Sequence, residues 1–443
     1  MKNQIEEIYS IVIQSKGVSI DSRTLKPGQV FFALTGDNFD GSKFTEQALL
    51  NGALKAVVSD INLKARENII YVENVLATLQ EIARIHRLGL NIPVIALTGT
   101  NGKTTTKELI NHLLSSEFNT LCTLGNLNNH IGVPLTLLNI NESHQIAIIE
   151  MGASGPGEIM DLCKIALPTH GLITSIGKAH LQGFGNIETI VKTKTELYEF
   201  IKKNNGHFFF NTSVKDIYSV LQADDFKSAE LFDNHNFRGN NIASVESTDK
   251  NMFLNLKITD NSGKIHDCET SVYGQYNFDN IVNACKIADH FQVKPEALIK
   301  SLVEFIPSNN RSQIIDWNDN TLILDAYNAN PTSVREAVLS FVKISDSGNK
   351  VIILGDMLEL GETSIEEHIK VISELMEKNF YSQIFLVGPQ FKAAGERIDN
   401  LPQNCKLFEN STEAKSYIDS IGIKKSQILA KGSRGIKIET IFL

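Results

Sequence analysis

Residues 94–116 read VIALTGTNGKTTTKELINHLLSS, and no other stretch of the chain is as informative about its architecture. The first four residues are apolar and partly β-branched, which is typical of a buried strand in a parallel sheet. Two glycines follow, and the segment after Lys103 has the pattern of a helix. Glycines let backbone N–H groups turn towards an anion, and a helix N-terminus adds partial positive charge. The stretch therefore predicts a phosphate-binding loop.

The predicted loop is shorter than the common form GxxxxGK[ST], because Leu97 stands where that pattern has its first glycine. We expect Lys103 to contact the β- and γ-phosphates of a nucleoside triphosphate, and the hydroxyl of Thr104 to bind Mg²⁺. The alternative is a glycine turn followed by a surface lysine, which the strand–loop–helix context disfavours. The predicted nucleotide-binding residues of the loop are Thr98, Gly99, Thr100, Asn101, Gly102, Lys103, Thr104 and Thr105.

Strand-like and helix-like segments alternate along the rest of the chain, which is typical of the α/β class. The runs VIALTG, QIAIIEMGA and HGLITSIG are followed by helical stretches at 103–116, 155–164 and 187–202. Residues 205–272 have shorter alternating runs, which predict an antiparallel insertion. A second series starts near residue 307, and its strand-like runs are TLILD, VIILGDM, QIFLVG and QILAKGS.

Length and pattern together predict three domains, since the chain has 443 residues and a domain has roughly 150. We predict an N-terminal α/β domain at residues 1–90. A central nucleotide-binding domain with a mostly parallel sheet would follow at 91–306. A second α/β domain would occupy 307–443, and a cleft between the last two would hold the ligands.

Composition excludes several classes of function. The net charge is −9, so no global field attracts the chain to nucleic acid or an anionic membrane. The sequence has no run of 18 apolar residues and no signal-peptide pattern at its start. Its five cysteines are far apart and form no CxxC pair. These features predict a cytoplasmic, soluble, multidomain protein without nucleic-acid binding or membrane insertion.

Two further strand ends carry candidate metal ligands. Glu150 follows the apolar residues Ile146-Ala147-Ile148-Ile149, and a carboxylate placed there needs a cation or a hydrogen-bond donor. The alternative for Glu150 is a helix cap or a salt bridge. The third strand leads to His180, which beside a triphosphate and Glu150 is a candidate second ligand.

A lysine occupies an apolar position in the helical stretch 187–202. Lys194 lies on the same stripe as Val191 and Leu197. One interpretation is a snorkelling side chain, which is the more common case. The other is an amine with a lowered pKa that adds CO₂ and becomes a carbamate, an anionic metal ligand. Periodicity leaves both open.

Together these segments resemble the ATP-binding centre of the Mur ligases: TGTNGKT, the strand-end Glu150, SIGKAH and the helix with Lys194. Four more segments extend the resemblance over essentially the whole chain: DSRTLKPGQVFFALTGDNFDG, DAYNANPTS, VIILGDMLELGE and LAKGSRG. The resemblance implies a UDP-substrate domain, a central P-loop-type ATPase domain and a C-terminal Rossmann-like domain.

The activity implied by this resemblance is ATP-dependent ligation of D-alanyl-D-alanine to UDP-N-acetylmuramoyl-tripeptide through an acyl phosphate. Such a step needs cations, because an anionic carboxylate must approach an anionic phosphate. The implied cofactors are ATP and two Mg²⁺ ions, with Thr104, Glu150, His180 and carbamylated Lys194 as metal ligands. Lys103, Glu150, His180 and Lys194 are the implied catalytic residues.

The resemblance also implies contacts with nucleotide and substrates. Asn277 and Asn280 would lie near adenine, although Tyr276 stands where the family usually has histidine. Arg311 would approach the phosphates, and Asp325 would bind the ribose. The implied substrate residues are Ser22 and Arg23 for the UDP-sugar, Thr123, Asn126, Asn128 and Asn129 in the central domain, and Asn328 and Asn330 for the dipeptide.

Three other functions stay open from the sequence. Folylpolyglutamate synthetase and a Mur ligase that adds a single amino acid share the nucleotide loop, and a regulator could bind nucleotide without ligating anything. Folylpolyglutamate synthetase is disfavoured by the segment DSR…GDNFDG. A Mur ligase that adds a single amino acid is disfavoured by the segments YNANP and GDMLELG. We expect a monomer.

Overall fold

The structure is a computed structural model, and it describes residues 2–36, 39–177, 181–214, 229–234, 236–237, 239–248, 252–344, 348–378 and 381–443. Three mainly parallel α/β sheets follow one another along the chain, with a smaller antiparallel sheet after the second. The predicted three-domain α/β architecture is confirmed. The boundaries near residues 90 and 306 stay a prediction.

The N-terminal sheet has four parallel strands in the order β1-β2-β5-β6. Its buried strand β2 packs against α3, where Leu79 and Ile82 belong to the same core. A two-strand antiparallel ribbon, β3–β4, lies beside it. The elements are α1 Lys2–Gln14, β1 Val18–Ser19, β2 Val30–Phe32, β3 Thr35–Gly36, β4 Phe39–Asp40, α2 Thr45–Leu50, β5 Lys55–Val58, β6 Ile69–Tyr71 and α3 Val75–Leu88.

The central sheet has six parallel strands in the order β12-β11-β10-β7-β9-β8. Alternate residues of β7 pack on opposite faces, Ile95 towards α4 and Ala96 towards α6 and α8, which explains its unbroken apolar sequence. The elements are β7 Val94–Thr98, α4 Lys103–Leu114, β8 Thr120–Cys122, α5 Gly132–Leu137, β9 Ile146–Glu150, α6 Glu158–Ala166, β10 His170–Ile173, α7 Leu181–Phe184, α8 Ile187–Lys203, β11 His207–Asn211 and β12 Ala229–Phe232.

The predicted antiparallel insertion is correct only for its second half. β13 Ile242–Thr248, β14 Phe253–Asp260 and β15 Ile265–Tyr273 form an antiparallel sheet. β11 and β12, by contrast, extend the parallel sheet, because the run Phe208–Phe210 is buried like the other strands of that sheet. Two helices follow, α9 Phe278–His290 and α10 Pro295–Glu304, and both pack against α4.

The C-terminal sheet has the order β16-β17-β21-β18-β19-β20, parallel except for the antiparallel edge pair β16–β17. Its elements are β16 Gln313–Trp317, β17 Asn320–Asp325, α11 Pro331–Val342, β18 Asn349–Gly355, α12 Ser364–Lys378, β19 Gln383–Val387, α13 Pro389–Gly395, β20 Cys405–Phe408, α14 Ser411–Ile421 and β21 Ser426–Lys431. Short 3-10 turns occur at Gly41–Phe44, Ile61–Leu63, Gln275–Asn277, Gly361–Thr363, Arg434–Ile436 and Ile438–Phe442. Among the described helices, none is long and apolar enough to cross a membrane.

Candidate active site

The glycine loop leaves the carboxyl edge of the central sheet, where β7 lies between β9 and β10. The segment after β10 holds it in place: Ser175 O accepts from Thr100 N at 2.9 Å, and Thr174 Oγ1 donates to Asn101 O at 2.7 Å. Gly99 has φ 150°, and a Cβ there would lie 2.1 Å from Thr174 Oγ1. Only glycine fits this close approach.

Lys103 is the first residue of α4, directly after Gly102 in the left-handed conformation. Its Nζ donates to Gly99 O at 2.7 Å and Thr100 O at 3.1 Å, so the side chain folds back over its own loop. Burial lowers the pKa of Lys103; the charge of Glu150 opposes that shift and the charge of Arg311 adds to it. An anion bound in the loop would raise the pKa of this amine again.

Glu150 adjoins one other predicted metal ligand, Thr104. Only 1% of the residue is exposed. Its Oε2 accepts from Thr104 Oγ1 at 2.8 Å, and its Oε1 accepts from Asn128 Nδ2 at 2.8 Å. Both donors are neutral, so these two hydrogen bonds bring no positive charge to the carboxylate, and the nearby cation is Lys103. Such a carboxylate, with a threonine hydroxyl beside it, fits a hard divalent cation.

Thr123 does not have the predicted placement. We expected it on a substrate-facing loop, but the structure buries it fully. Its Oγ1 accepts from Glu150 N at 3.0 Å, and its carbonyl accepts from Lys107 Nζ at 2.7 Å. Because β8 runs beside β9, Thr123 lies behind Glu150 and positions its backbone.

Lys194 lies inside the protein, on α8, with 3% of its surface exposed. The snorkelling interpretation is therefore wrong, since a snorkelling amine would reach solvent. Its Nζ lies 5.7 Å from the centre of the Phe184 ring. Burial, together with the positive charge of Lys103, lowers the pKa of Lys194 to about 7.

A cavity of about 640 Å³ opens between the central and C-terminal domains. The sequence-predicted residues that line it are Thr100, Asn101, Gly102, Lys103, Thr104, Thr105, Asn126, Asn128, Asn129, Glu150, Asn277, Asn280, Arg311, Asp325, Asn328 and Asn330. Thr98, Gly99 and Lys194 do not line it. His180 lies outside the described residues.

Two predicted nucleotide-binding asparagines lie against the loop. Asn280 Nδ2 donates to Asn277 Oδ1 at 2.8 Å, and Asn280 Oδ1 accepts from Thr106 Oγ1 at 3.0 Å. A Cβ on Gly102 would lie 2.3 Å from that oxygen, so the asparagine pair and the loop fit closely. The neighbouring Tyr276 hydroxyl pairs with Ser312 Oγ at 2.7 Å, and burial raises its pKa well above the ordinary value. This side chain stays neutral.

Two residues of the C-terminal wall, Asp325 and Asn330, are held by hydrogen bonds. Asp325 Oδ2 accepts from the buried Lys431 Nζ at 2.7 Å, and Asp325 Oδ1 accepts from Ser312 N at 3.3 Å. Asn330 Nδ2 donates to Asn101 Oδ1 at 2.7 Å, while its Oδ1 caps α11 by accepting from Ser333 N at 2.9 Å. Asn330 therefore joins the C-terminal domain directly to the glycine loop.

Sequence reasoning missed Tyr327, which lines the same cavity. The Arg311 Cζ lies 3.8 Å from the centre of its ring, and the Arg434 Cζ lies 5.6 Å from it. Two arginines beside one aromatic ring keep positive charge in the lining of the cavity. The only sequence signal was its position two residues after Asp325, at the end of a strand.

Ser22 and Arg23 do not line this cavity. Arg23 is exposed and pairs with Asp21 at 2.7 Å, and Ser22 O accepts from Asn51 Nδ2 at 2.7 Å. A second cavity of about 490 Å³ lies between α3 and the central domain, and its lining includes Gln80, Arg84 and Asn129. Asn129 lines both cavities, so the two are adjacent.

Three family models match the chain in order. They are the catalytic domain of the Mur ligase family at residues 14–92, the Mur ligase middle domain at 97–288 and the Mur ligase glutamate ligase domain at 310–434. A UDP-N-acetylmuramoyl-tripeptide--D-alanyl-D-alanine ligase from Bacillus subtilis is 32% identical over 439 residues, covering 96% of this chain and 92% of the relative.

Solved structures match over the same length. MurF from Acinetobacter baumannii superposes with a TM-score of 0.84 at 30% identity, covering 99% of this chain and 97% of that chain. MurF ligase from Thermotoga maritima in complex with ADP has a TM-score of 0.80 at 24% identity, covering 100% and 97%. The second likeness shows the fold.

Proposed function

This chain belongs to the Mur ligase family, and we propose on that basis that it joins D-alanyl-D-alanine to UDP-N-acetylmuramoyl-tripeptide at the expense of ATP. The product is the UDP-N-acetylmuramoyl-pentapeptide, a peptidoglycan precursor. One observation carries the chemistry: Lys103, Thr104 and Glu150 meet in a cavity whose opposite wall comes from the C-terminal domain. Such a cavity can hold a triphosphate and a substrate carboxylate together.

We place the nucleotide across the two domains. Lys103 leaves the carbonyls of its own loop and pairs with the β- and γ-phosphates. Asn277 and Asn280 face the adenine, and Asp325 accepts hydrogen bonds from the ribose while keeping its partner Lys431. Arg311 supplies positive charge from the C-terminal side; among the described residues its buried Nε has no hydrogen-bond partner, so that donor is free for a phosphate.

The residues present fit Mg²⁺. Glu150 and the Thr104 hydroxyl adjoin, and among the described residues the carboxylate accepts hydrogen bonds only from neutral donors. We propose that Thr104, Glu150, His180 and modified Lys194 hold two ions. Bound Mg²⁺ would supply the positive charge that allows a carboxylate to approach the γ-phosphate.

Carbamylation of Lys194 is the least expected part of this proposal. With a pKa of about 7, a large fraction of the amine is neutral at neutral pH. The neutral nitrogen adds to CO₂, an N–C bond forms and one proton is released, which leaves an anionic carbamate. The positive charge of Lys103, which lowers the pKa of the amine, also stabilises the carbamate.

The reaction has two steps at this site. An oxygen of the tripeptide carboxylate attacks the γ-phosphorus, the bond to ADP breaks, and an acyl phosphate forms. The amine of D-alanyl-D-alanine then attacks the acyl carbon, phosphate leaves, and the amine loses a proton. Lys103 and Arg311 offset the negative charge. The residues we propose to position substrates are Ser22, Arg23, Asn126, Asn128, Asn129, Asn328 and Asn330, with Thr123 acting through Glu150.

The alternatives have less support. Folylpolyglutamate synthetase or a ligase for a single amino acid is disfavoured because a tripeptide–dipeptide ligase matches the full length at 32% identity. A nucleotide-binding regulator is disfavoured because the relatives that match the full length of this chain are named as ligases. A monomeric state and a cytoplasmic location stay predictions.

Phosphate release tests the proposal. The full chain is mixed with ATP and Mg²⁺, with UDP-tripeptide, with D-alanyl-D-alanine, or with both. We expect multiple turnovers only with both substrates, and mass spectrometry should identify the pentapeptide. Equal release without the dipeptide, or turnover with folate and glutamate instead, would refute it. UDP-tripeptides with lysine or meso-diaminopimelate as third residue are compared in the same assay.

A further inference from the structure

We propose that His207, Glu230 and His290 bind one Zn²⁺ ion at the amino edge of the central sheet, away from the nucleotide cavity. One ligand atom from each of the three residues lies within 4.8 Å of the others. His207 is the first residue of β11, Glu230 is the second residue of β12, and His290 ends α9. The glycine loop leaves the opposite edge of these parallel strands, so the two sites lie at opposite ends of the sheet.

The distances are close to those of a metal site. Glu230 Oε2 lies 2.6 Å from His207 Nε2 and 3.7 Å from His290 Nδ1. Around tetrahedral zinc, ligand atoms at about 2.0–2.2 Å from the metal are separated by roughly 3.3–3.6 Å. The separations of the ligand atoms therefore have to change by about 1 Å to match this geometry. The backbone of three different elements already holds the donors together.

The aromatic surroundings fix the two imidazoles. The ring centres of His207 and His290 are 4.4 Å apart, and Phe209 packs against both of them. His170, which pairs with His207 in the strand register, lies 5.3 Å from the His290 ring. Because these rings pack against each other, the imidazole nitrogens converge with little loss of side-chain freedom.

Lys286 pairs with the second oxygen of the Glu230 carboxylate. Its Nζ is buried, pairs with Glu230 Oε1 and donates to Phe237 O at 2.8 Å. A carboxylate ligand that is also hydrogen-bonded by a second residue is the usual arrangement around bound metals. Lys286 thus orients Glu230 so that Oε2 faces the histidines.

The donor set selects the metal. Two imidazoles and one carboxylate suit Zn²⁺, whereas Mg²⁺ prefers oxygen ligands. The three side chains are 26–36% exposed, so an ion can enter and a water can complete the coordination. Bound zinc would tie β11 and β12 to α9. A metal-free hydrogen-bonded cluster is the competing interpretation.

Zinc titration of the metal-stripped full chain by calorimetry tests the proposal, in excess Mg²⁺ so that oxygen-ligand sites are filled. We expect one Zn²⁺ per chain in the wild type. Affinity should fall at least tenfold in His290→Gln and in Glu230→Gln. His144→Gln, which changes a histidine outside the cluster, should leave it unchanged.

A second variant separates this site from the catalytic one. Glu150→Gln should keep the zinc affinity, because it lies at the other edge of the sheet. Zinc should raise the thermal unfolding temperature of the wild type and of Glu150→Gln, but not that of a folded His290→Gln. No zinc bound to the wild type, equal binding by His290→Gln, or loss only in Glu150→Gln would overturn the proposal.

Discussion

Buried lysines at the two edges of the central sheet have different neighbours. At the amino edge, Lys286 is 1% exposed and is paired with Glu230 and the Phe237 carbonyl. At the carboxyl edge, Lys194 is 3% exposed, and an aromatic ring and the like charge of Lys103 are among its neighbours. Glu150 completes the contrast as a buried carboxylate bonded to neutral donors. At the amino edge the described lysine and carboxylate pair with each other, whereas at the carboxyl edge the described hydrogen bonds of Glu150 come from neutral groups.

The largest expected effect tests the carboxyl edge directly. Lys103→Ala and Glu150→Ala should each lower product formation by about a thousandfold or more, because the charges that offset the phosphate and hold the metal are lost. The measurement is steady-state phosphate release with both substrates, and circular dichroism checks the fold. Near-normal turnover by either variant would refute the catalytic role proposed for that residue.

Lys194→Ala should also be inactive, but short carboxylates such as acetate should restore part of the activity. The space left by the side chain can admit an anion that replaces the carbamate. Lys192→Ala is the matched control, since Lys192 lies on the same helix and is exposed. Full activity of Lys194→Ala without added carboxylate would eliminate the carbamate.

The stability of Lys194→Met should depend on pH relative to the wild type, in buffer free of CO₂. Below pH 7 the folded and unfolded wild type both carry a charged lysine, so the cost of burying that charge is fully present. Between pH 7 and 10.5 the unfolded chain binds the extra proton, so wild-type stability rises with pH.

The advantage of methionine should therefore be largest at or below pH 7, at most about 5 kcal/mol, and should shrink towards pH 10.5. Chemical denaturation at several pH values measures it. A difference that does not change with pH would mean that the folded and unfolded pKa values are equal.

Lys286→Ala should show the opposite behaviour to Lys103→Ala. Removing the buried partner of Glu230 should lower the free energy of unfolding by about 2–3 kcal/mol. Turnover per folded molecule should stay close to that of the wild type, because Lys286 is at the amino edge. A large loss of turnover with unchanged stability would contradict the proposal that the amino edge contributes to stability and the carboxyl edge to catalysis.

The smallest effect concerns the bridge between domains. Asn330→Ala removes the helix cap and the contact with Asn101, and should lower stability by about 1 kcal/mol. The KM for ATP should rise a few-fold, since the loop loses a contact with the C-terminal wall. Asn330→Asp keeps the cap and loses the donor, so it should recover the stability and not the KM.

Much of this architecture could be predicted from the sequence, because parallel strands that are buried on both faces have unbroken apolar sequences. The strands at VIALTG, QIAIIEMGA and TLILD were predicted at their observed positions for that reason. β11 and β12 were misassigned, since they adjoin a truly antiparallel segment and short runs carry little periodic signal. The roles of the site residues stay predictions, while their placement around one cavity does not depend on those roles.

The sequence by itself determined the α/β class, the glycine loop and the position of an acidic residue at the end of a strand. The spacing of those residues reflects backbone geometry over a few residues. Tertiary structure alone decided that Thr123 supports Glu150 from behind, that Lys194 is desolvated, that Tyr327 lies beside two arginines, and that His207, Glu230 and His290 meet. Each of these depends on packing between segments that are far apart in the chain. Such packing sets the burial of side chains and the distances between charges, and it produces no periodic pattern in the sequence.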